Sequence, residues 1–232
     1  MYKKNPNLSH HFNSQSMTFK LSDHNSIANQ FIAELRDVNI QNDRMRFRRN
    51  LERIGEILAY EISKSLNYKE LEVETPLGIA NTKVPAQKVV LGTILRAGLP
   101  LHQGLLNYFD SAGNAFVSAY RMHHKDGTFE IKCEYISCPN LEGCTLILAD
   151  PMIATGASIN LAIKELEEYG KPKEIHIVTA IASTLGLNFV RRTNPKAHIW
   201  MGACDDELTA KSYIVPGLGD AGDLSYGEKL QE

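Results

Sequence analysis

The chain has 232 residues, of which 43% are hydrophobic and 22% are charged, and its formal net charge is -2. This composition is typical of a globular protein, and a charge near zero argues against a general nucleic-acid binder, which would be strongly basic. No apolar run reaches the ~20 residues of a membrane-spanning helix, and the cysteines form no CxxC pair, so we expect no membrane anchor, zinc site or disulfide framework and a reducing cytoplasm.

The N-terminal part is predicted to be a polar arm followed by helices. Residues 1–25 are rich in Asn, Ser and His, and residues 26–232 are predicted to form a single domain. A helix is predicted to begin at a Ser26 cap, with one apolar face formed by Ile27, Phe31, Leu35 and Val38. A longer helix is predicted from about Asp43 to Leu66, because apolar residues recur every three or four positions, at Phe47, Leu51, Ile54, Leu58, Ile62 and Leu66.

From Lys88 onward, predicted strands alternate with predicted helices. The apolar runs VVLGTIL and TLILAD are typical of strands buried on both faces, and EIHIVTAIAS and AHIWMGAC are two further strands. The segments NAFVSAYRM and TFEIKCEYI flank Asp126-Gly127, which predicts a β-hairpin arm at about 115–138. The alternation predicts an α/β fold with a mostly parallel sheet flanked by helices on both faces.

Ligands of such sheets bind outside the carboxyl ends of the strands, here after Leu95, Ala149 and Cys204. After Ala149 the loop DPMIATGAS opens a helix, and its free N–H groups, helix dipole and hydroxyl groups suit a phosphate. Pro151 has no N–H, so the phosphate is expected at residues 154–158. Asp150 suits ribose hydroxyl donors beside it. On residue types alone, Ser158 as a simple helix cap and Asp150 as a turn former remain open.

A second glycine-rich stretch, VPGLGDAGD, occupies residues 215–223. Its glycines allow close approach of the backbone or a positive φ. Only nine residues follow, too few for a dependable helix, so we do not expect a phosphate site here. A glycine-rich turn that binds no ligand is the alternative.

The loop LILADPMIATGAS resembles the motif that binds 5-phosphoribosyl 1-diphosphate (PRPP) in type I phosphoribosyltransferases. The stretches ILRAGLP, AYR and YIVPGLGDAGD narrow the resemblance to the uracil phosphoribosyltransferase family, over residues 27–227. The resemblance implies a type I phosphoribosyltransferase fold. It also implies pyrimidine salvage, in which uracil and PRPP give UMP and diphosphate.

The resemblance also implies roles for particular residues. The expected PRPP-binding residues are Arg96, Arg121, Asp150, Pro151, Met152, Ile153, Ala154, Thr155, Gly156, Ala157, Ser158 and Asp220. The expected uracil-binding residues are Ile214, Gly219, Asp220 and Ala221, in a loop of about residues 213–223 whose bare backbone can match the uracil edge. Catalytic roles are implied for Asp220 and Arg121, although on residue type alone Arg121 could be a surface arginine. No general base for uracil N1 stands out, and His123 and His124 are expected to be exposed.

Cofactors and partners follow from the same resemblance. Mg²⁺ is expected to arrive with PRPP, and because Pro151 replaces a second acid we expect no dedicated protein metal site. A homo-oligomer, dimer or tetramer, is implied, a GTP effector is left open, and neither nucleic acid nor membrane is expected as a partner. The chain departs from the family pattern at Ile153, Ala157, Thr209 and Ser212. A non-catalytic pyrimidine or PRPP sensor on the same fold, and a phosphoribosyltransferase for another base, are the competing hypotheses.

Overall fold

The computed structural model describes residues 17–123 and 129–229. The α-helices are α1 Ile27–Arg36, α2 Arg44–Ser63, α3 Leu99–Leu106, α4 Ala157–Leu166, α5 Thr184–Thr193 and α6 Ala221–Tyr226. The strands are β1 Thr18–Lys20, β2 Tyr68–Thr75, β3 Gly78–Pro85, β4 Val89–Leu95, β5 Gly113–His123, β6 Phe129–Ser137, β7 Thr145–Ala149, β8 Met152–Ile153, β9 Glu174–Ser183, β10 His198–Asp205, β11 Glu207–Leu208 and β12 Ile214–Val215. None of the described helices is long and apolar enough to span a bilayer.

The central sheet has eight strands in the order β1-β10-β9-β7-β4-β5-β6, with β8 also beside β9. Every neighbouring pair is parallel except β5 and β6. One face is covered by α1, α2 and α3, whose buried side chains include Leu35, Leu51 and Leu101. The other face is covered by α4 and α5, with Ile163 and Val190 in its core. The predicted α/β fold with a mostly parallel sheet is therefore confirmed.

The two N-terminal helices form where the sequence places them. Ser26 caps α1 by accepting from the N–H of Ala28 at 3.3 Å, and Asp43 caps α2 by accepting from the N–H of Arg46 at 3.0 Å. All residues of the predicted stripe are buried, from Phe47 to Leu66, although α2 ends at Ser63 and Leu66 follows it.

The predicted apolar face of α1 is confirmed at Leu35 and in part at Phe31, which packs against the core, but it is wrong at both ends. Ile27 and Val38 are 58% and 70% exposed, and Val38 follows the end of the helix. The buried positions are Ala28, Ile32 and Leu35, which also follow helical spacing. The first buried position of α1 is thus the small Ala28 and not its larger neighbour Ile27.

The boundary of the predicted N-terminal arm is also wrong. Thr18–Lys20 form β1, which extends the sheet in parallel beside β10, so residues 18–20 are not a loose arm. Phe19 contacts Trp200, with ring centroids 5.5 Å apart, and this contact helps hold the short strand in place. Residues 1–16 of the predicted arm lie outside the described residues, and the single-domain boundary at residue 26 stays a prediction.

One hairpin was expected and another was not. β5 and β6 pair antiparallel as predicted, although the Asp126-Gly127 turn lies outside the described residues. β2 and β3 form a separate two-stranded hairpin that projects from the domain with most of its residues exposed. In the β2 half, YKELEVET, polar and apolar residues alternate before a Pro-Leu-Gly turn, which is the signal that could have predicted it.

Candidate active site

The parallel sheet brings the carboxyl ends of β4, β7, β9 and β10 to one edge. Arg96 follows β4 directly and Asp150 follows β7. Gly98 shows how closely these ends pack, because a Cβ there would collide with the hydroxyl of Thr93 and lie 3.0 Å from the carbonyl oxygen of Ala149. Two of the predicted PRPP residues therefore emerge side by side from neighbouring strands.

The first half of the predicted PRPP loop is fixed to the sheet. The carbonyl of Pro151 accepts from the N–H groups of Ala180 and Ile181 at 3.1 and 3.0 Å. Met152 and Ile153 then pair with β9 as the short strand β8. Proline lacks an N–H but keeps its carbonyl, and this carbonyl anchors the loop.

The second half of the loop presents donors at the start of α4. Gly156 has φ 82°, and a Cβ there would lie 2.9 Å from the carbonyl oxygen of Gly186, so only glycine fits. Ala157, a departure from the family pattern, begins α4 with helical backbone, so its Cβ causes no strain. Within the described residues, the N–H groups of Thr155, Gly156 and Ser158 donate to no acceptor. A helix N-terminus with unsatisfied donors is a favourable place for a phosphate.

Asp150 is a half-buried carboxylate at the edge of this loop. Its own N–H donates to the carbonyl of Val178 at 3.0 Å, and its Oδ1 lies 3.5 Å from the N–H of Met152. No described basic side chain lies within ion-pairing distance. Burial raises the pKa of Asp150 from its ordinary value of 3.8 to about 7, against a smaller opposing effect of the Met152 N–H. Hydroxyl donors or a cation at this place would favour the ionised form.

This pKa predicts a pH-dependent stability. Between about pH 4 and 7 the folded chain retains a proton on Asp150 that the unfolded chain has released, so stability falls as the pH rises through this interval. Asp150→Asn cannot ionise, and without substrate its Tm at pH 8 should exceed the wild-type Tm by at least about 2–4 °C, the shift that ~1 kcal/mol produces in a chain of this size. The two proteins should converge near pH 4. Thermal denaturation at both pH values tests this, and an equal difference at pH 4 and 8 would contradict it.

The C-terminal glycine-rich stretch runs from the end of β12 through a loop into the first residues of α6. Gly217 and Gly219 adopt positive φ of 56° and 95°. The carboxylate of Asp220 then caps α6, with Oδ1 accepting from the N–H groups of Gly222 and Asp223 at 2.8 and 3.0 Å. The expectation that too few residues follow the loop for a helix is therefore wrong. A strong N-cap allows a short helix to form there.

Arg96 joins this C-terminal element to the end of β4. Its Nη2 donates to the carbonyl of Gly227 at 2.8 Å and lies 3.5 Å from Oδ1 of Asp223. Its guanidinium also lies 5.9 Å from the ring centroid of Tyr226. The predicted diphosphate residue and the predicted uracil loop are thus direct neighbours.

Part of the loop backbone is free of internal hydrogen bonds. Within the described residues, the N–H groups of Gly219, Asp220 and Ala221 and the carbonyl of Gly219 have no partner. Ile214, by contrast, is buried in β12 opposite Leu208 of β11. Residues 219–221 therefore offer free backbone groups to a ligand, and the role of Ile214 stays a prediction.

Two residues that the sequence reading missed hold the base of this loop, namely Arg36 and Asp205. Both are hydrogen-bonded to Gly217. Asp205 ends β10, one residue after Cys204, at one of the three strand ends selected from the sequence. An acidic residue at that position was the available signal. Nothing in the local sequence of Arg36 pointed to a contact so distant along the chain.

The structure describes less of the remaining candidate residues. Arg121 lies in β5 opposite Ile131 of β6, but its side chain lies outside the described residues, as does the whole of His124. His123 ends β5. In the described parts of the chain, no three or more His, Cys, Asp or Glu side chains are grouped so that they could hold a metal ion. The roles of Arg121 and of a substrate-borne metal stay predictions.

Ser212, one of the departures from the family pattern, occupies a left-handed conformation. Its φ is 62°, where a residue with a Cβ is disfavoured. Ser212→Gly should therefore raise the free energy of unfolding by about 0.5–1 kcal/mol, with unchanged activity. Chemical denaturation measures the effect, and Ser212→Ala, which keeps the strain, is the matched control. A glycine variant no more stable than the alanine variant would contradict this prediction.

Comparison with known proteins gives consistent results. The family model described as "Uracil phosphoribosyltransferase" matches residues 21–227. A uracil phosphoribosyltransferase of Porphyromonas gingivalis is 55% identical over 206 residues, covering 88% of this chain and 95% of that protein. One from Thermococcus gammatolerans is 40% identical over 205 residues, covering 87% and 90%. The solved structure of the AQ2163 protein from Aquifex aeolicus superposes with a TM-score of 0.82 at 29% identity, covering 93% of this chain and 100% of that one.

Proposed function

The chain belongs to the uracil phosphoribosyltransferase family, and on this premise we propose which of its residues perform the reaction. The activity is that of a pentosyltransferase of pyrimidine salvage, which joins uracil to PRPP and forms UMP and diphosphate. One observation carries the residue assignment. Arg96, the loop after Asp150 and the loop at residues 214–221 meet at the carboxyl edge of one sheet.

PRPP would bind across the ends of β4 and β7. The 5-phosphate accepts from the N–H groups of residues 154–158, supported by the positive end of α4 and by the hydroxyl groups of Thr155 and Ser158. Asp150 accepts from the ribose hydroxyl groups. Arg96 and Arg121 contact the diphosphate, because a guanidinium stays charged and can grip two phosphate oxygens at once.

Uracil would be recognised by the backbone at residues 219–221. Its O2, N3–H and O4 form an acceptor, a donor and an acceptor in a row, and the free N–H and carbonyl groups of this loop can match them. Cytosine reverses two of the three positions. Each mispaired buried group costs ~1–3 kcal/mol, so two of them give roughly 30-fold to 10⁴-fold discrimination.

The chemical step exchanges one bond to ribose C1 for another. The bond from C1 to the diphosphate oxygen breaks, and diphosphate leaves with the electron pair, while N1 of uracil supplies the pair for the new bond. The transition state has oxocarbenium character, as in glycoside hydrolysis. The N1 proton passes to Asp220 or to water. Because Oδ1 of Asp220 caps α6, Oδ2 is the atom that would face the substrate.

Mg²⁺ fits this donor set as a companion of PRPP. It binds oxygen atoms, often through one or two carboxylates and the phosphates of a substrate. Asp150 is the carboxylate beside the PRPP loop that could contribute, since the next residue is Pro151. The ion would neutralise charge on the diphosphate and so favour its departure.

A homo-oligomer, dimer or tetramer, is the expected assembly. An isolated two-stranded hairpin is marginally stable in water, yet β2 and β3 expose Leu71, Val73, Leu77 and Ile79. A second copy of the chain is the partner that we propose for this surface. The four cysteines are free, which is consistent with a cytoplasmic protein, and GTP is proposed only as an effector to be tested.

A base panel tests the function. The protein should convert uracil to UMP with PRPP and Mg²⁺, and should not use cytosine, hypoxanthine or orotate. Assays with and without GTP identify an effector, and light scattering gives the assembly. Efficient use of another base would favour a different phosphoribosyltransferase. Tight UMP binding with no turnover would favour a sensor.

A further inference from the structure

An ion pair lies behind the glycine-rich loop, outside the residues assigned to substrate. Asp205, the last residue of β10, is 8% exposed, and Arg36, the last residue of α1, is half-buried. Arg36 Nη1 donates to Asp205 Oδ2 at 2.7 Å and Nη2 donates to Oδ1 at 2.8 Å. This bidentate geometry is the strongest and most directional form of the pair.

The same pair holds both polar groups of Gly217. The N–H of Gly217 donates to Asp205 Oδ2 at 2.9 Å, and its carbonyl accepts from Arg36 Nη1 at 2.9 Å. Gly217 has φ 56°, and a Cβ there would collide with the carbonyl oxygen of Ile214, so no larger residue fits. The residue from which the loop departs is therefore fixed in orientation.

The backbone carbonyls of both residues of the pair are hydrogen-bonded as well. The carbonyl of Arg36 accepts from Nε2 of Gln41 at 3.0 Å, and the end of a helix favours a positive side chain. The carbonyl of Asp205 accepts from the hydroxyl of Thr184, which begins α5, at 3.3 Å. The ends of α1, β10 and α5 thus converge on the start of the loop.

We propose that Arg36 and Asp205 are positioning residues that set the uracil specificity of the loop; this inference rests on the proposed function. Asp205 already accepts three hydrogen bonds and its charge is neutralised by Arg36, so it acts through Gly217 rather than on substrate. Recognition by backbone groups depends on where the backbone lies. Releasing Gly217 displaces residues 219–221, and displacements of about 1 Å can cost 10²-fold in rate.

The test measures the effect of Arg36 substitutions on uracil and on PRPP separately. Arg36→Met removes the pair, and Arg36→Lys keeps the charge but loses the bidentate geometry. We expect Arg36→Met to lower kcat/KM for uracil about 10- to 100-fold and to weaken discrimination against cytosine. The kcat/KM of Arg36→Lys for uracil should lie between the values for Arg36→Met and the wild type. The Kd for PRPP, measured without uracil, should change less than about threefold, because Asp220 is the one expected PRPP-binding residue in the displaced segment and the PRPP loop is anchored on β9 instead.

A second bidentate Arg–carboxylate pair, with a buried Glu34 and an exposed Arg46, provides the control. Arg46 Nε and Nη2 donate to Glu34 at 2.9 and 2.8 Å, and these hydrogen bonds hold the pKa of Glu34 at about 2. No hydrogen bond within the described residues joins this pair to residues 214–221. Arg46→Met should therefore leave Glu34 buried without its arginine and lower stability, while leaving uracil specificity unchanged.

Three outcomes would overturn the inference. They are unchanged uracil kinetics in Arg36→Met, equal losses for uracil and PRPP, and the same uracil defect in Arg46→Met. If Arg36→Met does not fold, Arg36→Lys and Asp205→Asn give the same comparison. A wild-type protein that makes no UMP would instead contradict the proposed function, and the two failures are thus distinguishable.

Discussion

Replacing Arg96 with alanine should lower kcat/KM for PRPP about 10²–10³-fold, the usual loss when one charged or hydrogen-bonding group is removed from the transition state. Arg96 emerges from β4 beside the PRPP loop, and a guanidinium there opposes the charge that develops on the leaving diphosphate. The same side chain also donates to the carbonyl of Gly227. Steady-state kinetics and calorimetry with PRPP and diphosphate measure the effect.

Arg48 is the control for the structural part of this loss. Its Nη1 donates to the carbonyl of Ser225 at 2.7 Å, and its guanidinium lies 5.8 Å from the ring of Tyr226, so it holds α6 much as Arg96 does. Unlike Arg96, it comes from α2 and not from a strand end. Arg48→Ala should share any loss of stability but keep diphosphate affinity. Equal losses of diphosphate affinity in both variants would show that Arg96 acts by stabilising α6 and not by binding diphosphate.

Gly219→Val should damage uracil binding far more than PRPP binding. Gly219 has φ 95°, which a β-branched residue rarely adopts, while the space around it is open, because a Cβ added there would lie 3.8 Å from its nearest neighbour, Cδ1 of Leu224. The substitution therefore acts by changing the orientation of the backbone at residues 219–221, which is proposed to hydrogen-bond uracil. We expect KM for uracil to rise at least about 30-fold while the Kd for PRPP stays within about threefold.

Gly143 allows a matched control for the backbone strain. It has φ 68° with no atom within 4 Å of a Cβ, and it lies at the opposite end of β7 from Asp150. Gly143→Val should cost stability without changing either substrate constant. If Gly219→Val instead weakened uracil and PRPP equally, the loop at residues 214–221 would be misassigned.

The sequence predicted those features that depend on local patterns. The apolar runs gave β4 and β7, helical spacing gave the buried stripe of α2, and the strand-end rule led to Arg96 and Asp150. The resemblance supplied the residue roles, which composition and spacing alone left open. At Asp150 the sequence indicated a carboxylate beside a phosphate loop, but its raised pKa depends on burial, which requires the fold.

The features that the sequence did not predict depend on distant contacts. Thr18–Lys20 are a strand only because β10 offers an edge, and α6 exists because Asp220 caps it while Arg48 and Arg96 hold its end. Arg36 and Asp205 are 169 positions apart along the chain, and no periodicity links them. The hairpin β2–β3 is the exception, because its alternation and turn were readable in the sequence.

The most direct test of the account is the product balance of the wild-type protein. With uracil, PRPP and Mg²⁺, ³¹P NMR should show UMP and diphosphate appearing together in a one-to-one ratio. Omitting uracil should leave PRPP intact on the same timescale. Binding of PRPP and uracil with no UMP formed, or loss of PRPP without the nucleotide product, would contradict the assignment of this sheet edge as the site of phosphoribosyl transfer.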